Sequence, residues 1–311
     1  MRIALAGTGR YGARLLKPLI GSRHQVVAVI QDGRRTRGVS RTISVFGGRC
    51  FNTHLSPISL ALHNKIPVLW IDKMTDEELA PLRALEPDLL LVGGFSIILK
   101  RPILELPRLG CVNVHASLLP RHRGPNPFSA VIVANEAETG ITFHVMEEGI
   151  DTGPILHQAA IAIDPKDTAM GLYRKICDLN ADHVLEVMNR IEREGLYGTP
   201  QDESLATYEK KSTPDDVTIH WDMSAAEIER LVRACSVALF ARFIYRGAPV
   251  YVSRVKIDSN SVAAAPGTVL QIKPYVNIAA REGTATILVA YRKPWLWPAP
   301  WNRPKIGEIL S

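Results

Sequence analysis

The sequence predicts an α/β protein: a doubly wound, mostly parallel sheet with helices on both faces, followed by a smaller OB-like β-barrel domain. Three observations predict this. About the first two hundred residues alternate short apolar runs with amphipathic stretches, the pattern of repeated strand–helix–strand units. The C-terminal third instead carries alternating runs broken by glycine and proline, the pattern of short antiparallel strands. And 311 residues exceed what one hydrophobic core usually organises.

Ile3–Ala6 and Val26–Ile30 read as buried strands on either side of a helix over Tyr11–Ile20. Pro67–Trp70, Leu89–Val92 and Val112–Val114 follow as strands, separated by segments such as Thr75–Leu85. Ile141–Met146 and Ala159–Ile163 are two more, and apolar residues at helical spacing over Thr168–Glu194 close this body. Between Gly195 and Asp216 the chain turns polar, with the charged run Glu209-Lys210-Lys211, and reads as a linker. Ser224 followed by Glu227 is a capping box before Ile228, Leu231 and Val232, so a helix starts there. Pro249–Ile257, Gly267–Ile272, Val276–Ala280 and Thr284–Tyr291 are strands that close naturally into a small barrel. The expected division is a body over residues 1–195, a linker over 196–216 and a basic barrel over 217–311.

The balance of 46% hydrophobic and 22% charged residues is that of a folded protein. Apolar runs such as Ala130–Ala134 and Val237–Ala241 are far shorter than the roughly 20 residues a bilayer span needs. The start, Met1-Arg2-Ile3-Ala4-Leu5, runs straight into a glycine turn and reads as a strand, without the layout of a secretory signal. Cys50, Cys111, Cys177 and Cys235 include no C-x-x-C pair, which argues against a zinc site or disulfide framework and fits a reducing cytoplasm. No histidine pair has metal-ligand spacing, so no metal is expected. The net charge of +6 is uneven: from Arg230 onward twelve lysines and arginines face three acids, leaving +9 there and −3 in the rest. Such a basic third suits a module that meets phosphates, or else is a solvated basic surface without a partner.

Gly7-Thr8-Gly9-Arg10-Tyr11-Gly12 after the first strand, with Asp32 ending the second, matches a dinucleotide fingerprint. The competing reading is a glycine turn that presents a helix N-terminus to a substrate phosphate. The arginines that follow, Arg34, Arg35, Arg37 and Arg41, suit a polyanion better than an adenosine ribose.

The stretch from Gly110 to Leu156 carries more. Asn113 and His115 alternate on one strand, so both point to the same face at its carboxyl end, where open α/β sheets bind ligands. A stiff loop over Ser117–Pro125 follows, with Arg121 and Arg123. Further on, Asp151 sits in a glycine turn, Glu147-Glu148-Gly149-Ile150-Asp151-Thr152-Gly153-Pro154. Singly, each is ordinary: a satisfied strand-end histidine, a turn aspartate, a capping asparagine.

Taken together, Asn113-Val114-His115-Ala116-Ser117-Leu118-Leu119-Pro120-Arg121-His122-Arg123-Gly124, Glu138-Thr139-Gly140-Ile141-Thr142 and Ile150-Asp151-Thr152-Gly153 resemble the folate-dependent formyltransferase family. The linker Pro200–Tyr208 and the segment Pro266–Leu270 look like the branch that formylates methionyl-tRNA and its relatives that formylate amino sugars. The resemblance covers nearly the whole chain. It implies transfer of a formyl group from 10-formyltetrahydrofolate to a primary amine, and makes the glycine motif a false lead toward a nicotinamide-dependent oxidoreductase.

By the same resemblance Asn113 donates to the formyl oxygen as it turns anionic, His115 assists and shuttles protons, and Asp151 orients the histidine and accepts the amine's proton through a water. Elementary chemistry asks for the same parts. A protonated amine cannot attack, and an oxyanion needs fixed donors, each worth about 3 kcal/mol of barrier. The pterin is expected against Gly94, Phe95, Ser96, Ile97 and Ile98, the loop Ser117, Leu118, Leu119 and Pro120, and Met146, Gly149 and Ile150. Gly9, Arg10, Arg37, Arg41, Arg121 and Arg123 are the expected acceptor contacts, with initiator methionyl-tRNA the favoured acceptor. The chain departs from that branch at Val237–Ala241, where a Pro-Trp-Pro-Gly turn is expected, at His122 between the two arginines, at Asn126-Pro127-Phe128 and in the tail around Trp295, Trp297 and Trp301. Those departures keep a nucleotide-linked amino sugar or another small amine open as acceptor.

Overall fold

Two glycines set the first turn of the fold. A Cβ on Gly12 would lie 2.6 Å from the carbonyl carbon of Gly7, and one on Gly7 only 2.9 Å from Gly93 O. The motif therefore lets strand β1 (Arg2–Gly7) and helix α1 (Gly9–Leu19) approach at backbone distance beside β4 (Leu89–Gly93). The computed structural model describes residues 1–34, 42, 44–46, 55–235, 239–291 and 304–310, so Arg37, Arg41 and the tryptophans of the tail lie outside the described residues. The described chain falls into two compact units.

The first unit comprises Met1–Gly124, Thr139–Ile161 and Arg174–Tyr208. It is built on a seven-stranded sheet in the order β3-β2-β1-β4-β5-β6-β7, with β2 (Gln25–Asp32), β3 (Val68–Ile71), β5 (Gly110–His115), β6 (Glu138–Val145) and β7 (Ile155–Ala162). Strands β1 to β5 pair in parallel and β6 turns antiparallel against β5, which makes the sheet mostly parallel as expected. The inner strands are apolar on both faces, as a sheet covered on both sides demands, with Ile3, Leu5, Ile30, Leu89 and Leu91 all fully buried. Helices α2 (Pro57–His63), α3 (Asp76–Ala84) and α4 (Arg101–Leu104) join the strands. Ser56 caps α2, with proline in its first turn; this helix was not expected, because three prolines and asparagines border its short apolar stretch.

The second unit comprises Pro125–Glu138, Ala162–Tyr173 and Glu209–Ser311. It holds α5 (Pro127–Val133), the start of α6 (Ala169–Glu194), α7 (Ala225–Ala234) and a five-stranded antiparallel sheet. The Ser224–Glu227 capping box is formed as the sequence predicts, each side chain accepting from the other's backbone N–H. The sheet order is β10-β11-β12-β9-β8, with β8 (Ala241–Tyr245), β9 (Ala248–Asp258), β10 (Val269–Gln271), β11 (Val276–Ala279) and β12 (Thr284–Tyr291). Four strands were expected and β8 is the fifth. It joins β9 through the two-residue turn Arg246-Gly247, both residues at positive φ. Arginine at the first turn position hides that hairpin from a reading that looks for Asn-Gly or Asp-Gly. Register shifts around Val289 bend β12 against β9 over a core of Trp221, Ile228, Phe243, Val250 and Ile278. Among the described residues no helix is long and apolar enough to cross a membrane.

Candidate active site

Strand β5 ends on Asn113-Val114-His115 at the carboxyl edge of the sheet, flanked by parallel β4 and antiparallel β6. The register places Val92 beside Asn113 on one side and His144 on the other. The loop between β6 and β7 brings in Asp151, held at φ +55, a left-handed conformation that aspartate tolerates better than most residues.

Four polar side chains converge here. Asn113 Nδ2 lies 3.2 Å from Asp151 Oδ1 and 3.0 Å from His144 Nε2. Asp151 Oδ2 accepts the Gly124 N–H at 2.8 Å and lies 3.4 Å from His115 Nδ1. His115 Nε2 donates to the His122 carbonyl at 2.7 Å. Because a carbonyl only accepts, this bond fixes which ring nitrogen carries the proton and leaves Nδ1 toward Asp151.

Burial sets the electrostatics. Removal from water drives His115 below its ordinary value, against the pull of the Asp151 charge and the His122 carbonyl. Burial alone would raise Asp151, yet the His144 and His115 imidazoles and the Gly124 N–H outweigh it and hold the carboxyl at about 2. At neutral pH the cluster thus presents an ionised aspartate to a neutral, desolvated imidazole. Asn113, His115 and Asp151 were named from the sequence, and the fold brings them into one cluster. His144 was not, since only the β5–β6 register reveals it.

The other predicted contacts divide. Phe95 and Met146 pack on the apolar cluster that contains Ile97, while Ile98 and Ile150 are 76% and 54% exposed. An apolar edge with Gly94 at φ +62 therefore borders the polar cluster, and Gly149 is exposed on the same turn as Ile150. Ser96 instead donates to Asp32 at 2.6 Å. Ser117 and Leu119 are buried, Ser117 donating to the Arg121 carbonyl and the Leu119 N–H to Thr142, with Leu118 and Pro120 half-buried beside them. Gly9 lies exposed at the head of α1, and Arg10 pairs with Asp178 at 3.0 Å. Arg121 is exposed, whereas Arg123 is fully buried with its guanidinium bound to Gln201, Glu203 and Tyr208. Asp32, the acid of the apparent dinucleotide motif, spends its oxygens on Ser96 and Arg34, and the glycines of that motif serve the β1–α1 approach.

Comparison with known proteins agrees with this architecture. Residues 1–188 match the formyl transferase family model, and residues 211–293 match its C-terminal domain. The methionyl-tRNA formyltransferase of Pseudomonas fluorescens is 39% identical over 236 residues, covering 75% of this chain and 71% of that protein. That of Pseudomonas syringae pv. tomato is 40% identical over 236 residues, covering 75% and 72%. Among solved structures, the sugar 3N-formyl transferase WlaRD, crystallised with dTDP and 5-N-formyl-THF, shares 20% identity at a TM-score of 0.68, covering 94% of this chain and 98% of its own. The N-formyltransferase of Helicobacter canadensis, in complex with folinic acid and dTDP-3-aminofucose, shares 21% at 0.68, covering 94% and 100%. With both family models matched in order along one chain, this protein belongs to the formyl transferase family.

Proposed function

We propose that the chain transfers the formyl group of 10-formyltetrahydrofolate to the amino group of initiator methionyl-tRNA, in the cytoplasm. The observation that carries the reaction is the convergence of Asn113, His115, His144 and Asp151 beside an apolar edge. A flat, hydrogen-bonding pterin suits that edge, where Phe95, Ile98 and Ile150 offer apolar surface over the buried Ile97.

Each side chain has a distinct part. Asn113 gives up its longer contact, the 3.2 Å bond to Asp151, and donates instead to the formyl oxygen, while His144 keeps the amide oriented. Asp151, thereby relieved of one donor, draws the amine's proton through a water. A carboxylate held at about 2 keeps no proton at neutral pH, so the proton passes to His115 Nδ1, 3.4 Å from Oδ2. From that ring, where burial disfavours it, the proton goes to the tetrahydrofolate nitrogen that departs as the tetrahedral adduct collapses. The His122 carbonyl holds the other end of the ring in place meanwhile.

For the acceptor, the support is the 39–40% identity to two methionyl-tRNA formyltransferases together with the +9 balance after Arg230. The coverage by sugar N-formyltransferases keeps a nucleotide-linked amino sugar as the second reading. Formyl transfer assayed with methionyl-tRNA and with a panel of nucleotide-linked amino sugars separates them. Turnover with the tRNA alone is expected; turnover with a sugar alone reverses the assignment, and turnover with neither refutes the reaction.

A further inference from the structure

The segment that the sequence presents as a linker is hydrogen-bonded into the candidate site. Thr199 and Ile155 exchange both backbone hydrogen bonds at the start of β7, 2.8 and 2.9 Å long. Thr207 accepts the Arg123 N–H on its carbonyl at 2.9 Å and the His122 N–H on its hydroxyl at 2.7 Å. His122 and Gly124, on either side of Arg123, are the residues whose carbonyl holds His115 and whose N–H holds Asp151. The linker thus props the loop from which both catalytic groups hang.

Gln201 makes the tie direct. Its Nε2 donates to the carbonyls of Asp151 and Gly153, both at 2.8 Å, and so grips the left-handed turn on either side of Thr152. Its Oε1 accepts from Arg123 Nε and Nη2 at 3.2 and 2.8 Å. All four hydrogen-bonding positions of the amide are used, and only one orientation serves them, since a flipped amide would set oxygen against two carbonyls. Arg123, fully buried, is locked in turn by Glu203 at 2.6 Å and by the Tyr208 hydroxyl and ring. A buried guanidinium with every fork position filled orients a neighbour rather than meeting an acceptor.

We propose that Gln201 and Arg123 are positioning residues, a relay through which the linker segment fixes the backbone of Asp151 and hence its aim at His115 and Asn113. The role in turnover rests on the formyl-transfer reading; the geometric relay does not. It makes residues 199–208 part of the catalytic apparatus, so the linker sets chemistry as well as spacing.

The test uses the full chain with Gln201→Glu, which keeps the shape but removes both donors, and Gln201→Ala, which removes the amide without adding charge. Arg123→Lys keeps the charge and removes the fork. For both Gln201 variants we expect kcat to fall about tenfold or more, equivalent to one lost hydrogen bond of about 1.4 kcal/mol, with KM for the formyl donor within about twofold. The acid limb of the pH–rate profile should move in the same direction in both, and Arg123→Lys should show the same changes at smaller size. In parallel, proton NMR titration of the His115 ring reads the geometry without any turnover, and a shift of about half a pH unit, a threefold change in proton affinity, is expected. An unmoved His115 titration in both Gln201 variants overturns the relay, even if the wild type shows no formyl transfer, an outcome that would count only against the proposed function. A fall in kcat matched by lost folded protein, with the pH profile and titration unchanged, overturns it too.

Discussion

Asn113 and His144 stand directly opposite each other on β5 and β6, and Nδ2 of the first lies 3.0 Å from Nε2 of the second. Asp151 Oδ1, 3.2 Å from the same nitrogen, decides the amide's orientation, because a flipped Asn113 would set its oxygen against an ionised carboxylate. His144 Nε2 also lies 3.4 Å from Asp151 Oδ1, and its Nδ1 lies 2.9 Å from the Val145 carbonyl, so the ring ties both the amide and the carboxylate to β6. His144 therefore holds the amide plane of Asn113 from behind. His144→Ala should lower kcat about tenfold, the worth of one hydrogen bond of roughly 1.4 kcal/mol. His144→Gln, whose Oε1 reaches the place of Nε2, should recover part of the loss. Steady-state kinetics of the two variants check this, and equal rates in both would reject the orienting role.

Asp151→Asn keeps the shape of the turn, since asparagine also accepts positive φ, but removes the charge that faces His115 Nδ1. Turnover should fall roughly a hundred- to ten-thousand-fold, the range of a lost general base. The circular dichroism spectrum should be unchanged. Normal turnover in this variant would rule out the proposed proton path.

The pH dependence of stability follows from the same pair. His115 binds its proton less well in the folded chain than at its ordinary 6.5, so below that value the unfolded chain takes up the proton first and stability falls as pH drops. Asp151 acts in the same direction in a lower window: ordinarily at 3.8 and here at about 2, its contribution is complete above 3.8 and is lost as pH falls toward 2. The thermal unfolding temperature should fall from pH 6.5 to 5, and His115→Asn should flatten that slope. His24 is also lowered by burial and adds to the background in both proteins, so the difference between the two curves is the measurement. Parallel curves would mean that His115 does not sense the cluster as described.

Period and punctuation made the sheet legible in advance. Apolar runs bounded by turn residues located the strands of the first unit, and Ser224 with Glu227 located α7. Asn113, His115 and Asp151 were legible only together, through the family resemblance of the segments that carry them, since each is ordinary on its own. What stayed hidden depends on pairing at a distance. His144 becomes a partner only through the β5–β6 register, and Gln201 only through an irregular segment that carries no local pattern. Arg123, read as an acceptor contact by its position beside Arg121, is instead fully buried, which a sequence cannot show because burial of an arginine depends on three partners from another segment. Conversely, Gly7–Gly12 was conspicuous in the sequence for a reason that is steric.

Gly153 tests the turn from below. A Cβ there would lie 2.0 Å from the Val145 carbonyl oxygen, so an alanine must push β6 and the turn apart. The strain falls where Val145 N–H meets the Pro154 carbonyl at 2.9 Å and where Gln201 grips Gly153 O at 2.8 Å. Gly153→Ala should destabilise the protein by about 1–3 kcal/mol, the usual cost of overpacking. Its kcat should fall more than its stability predicts, because Asp151 moves with the turn. Denaturant unfolding and kinetics on the same preparation check both, and a silent substitution would mean that the turn is more pliant than its contacts imply.

The acceptor leaves an electrostatic signature. If phosphates are held by the basic C-terminal third, KM for methionyl-tRNA should climb at least about tenfold between roughly 50 and 200 mM salt, because each neutralised phosphate releases counterions. KM for the formyl donor should hardly move over the same range, since apolar contacts dominate its proposed slot. Arg121→Ala, at an exposed position beside the site, should reduce the steepness of the salt dependence without altering the donor's KM. A nucleotide-linked sugar carries only two phosphates or so, and its slope would be correspondingly shallow. Flat KM values for the tRNA would therefore count against a polyanionic acceptor even if some tRNA formylation were detected.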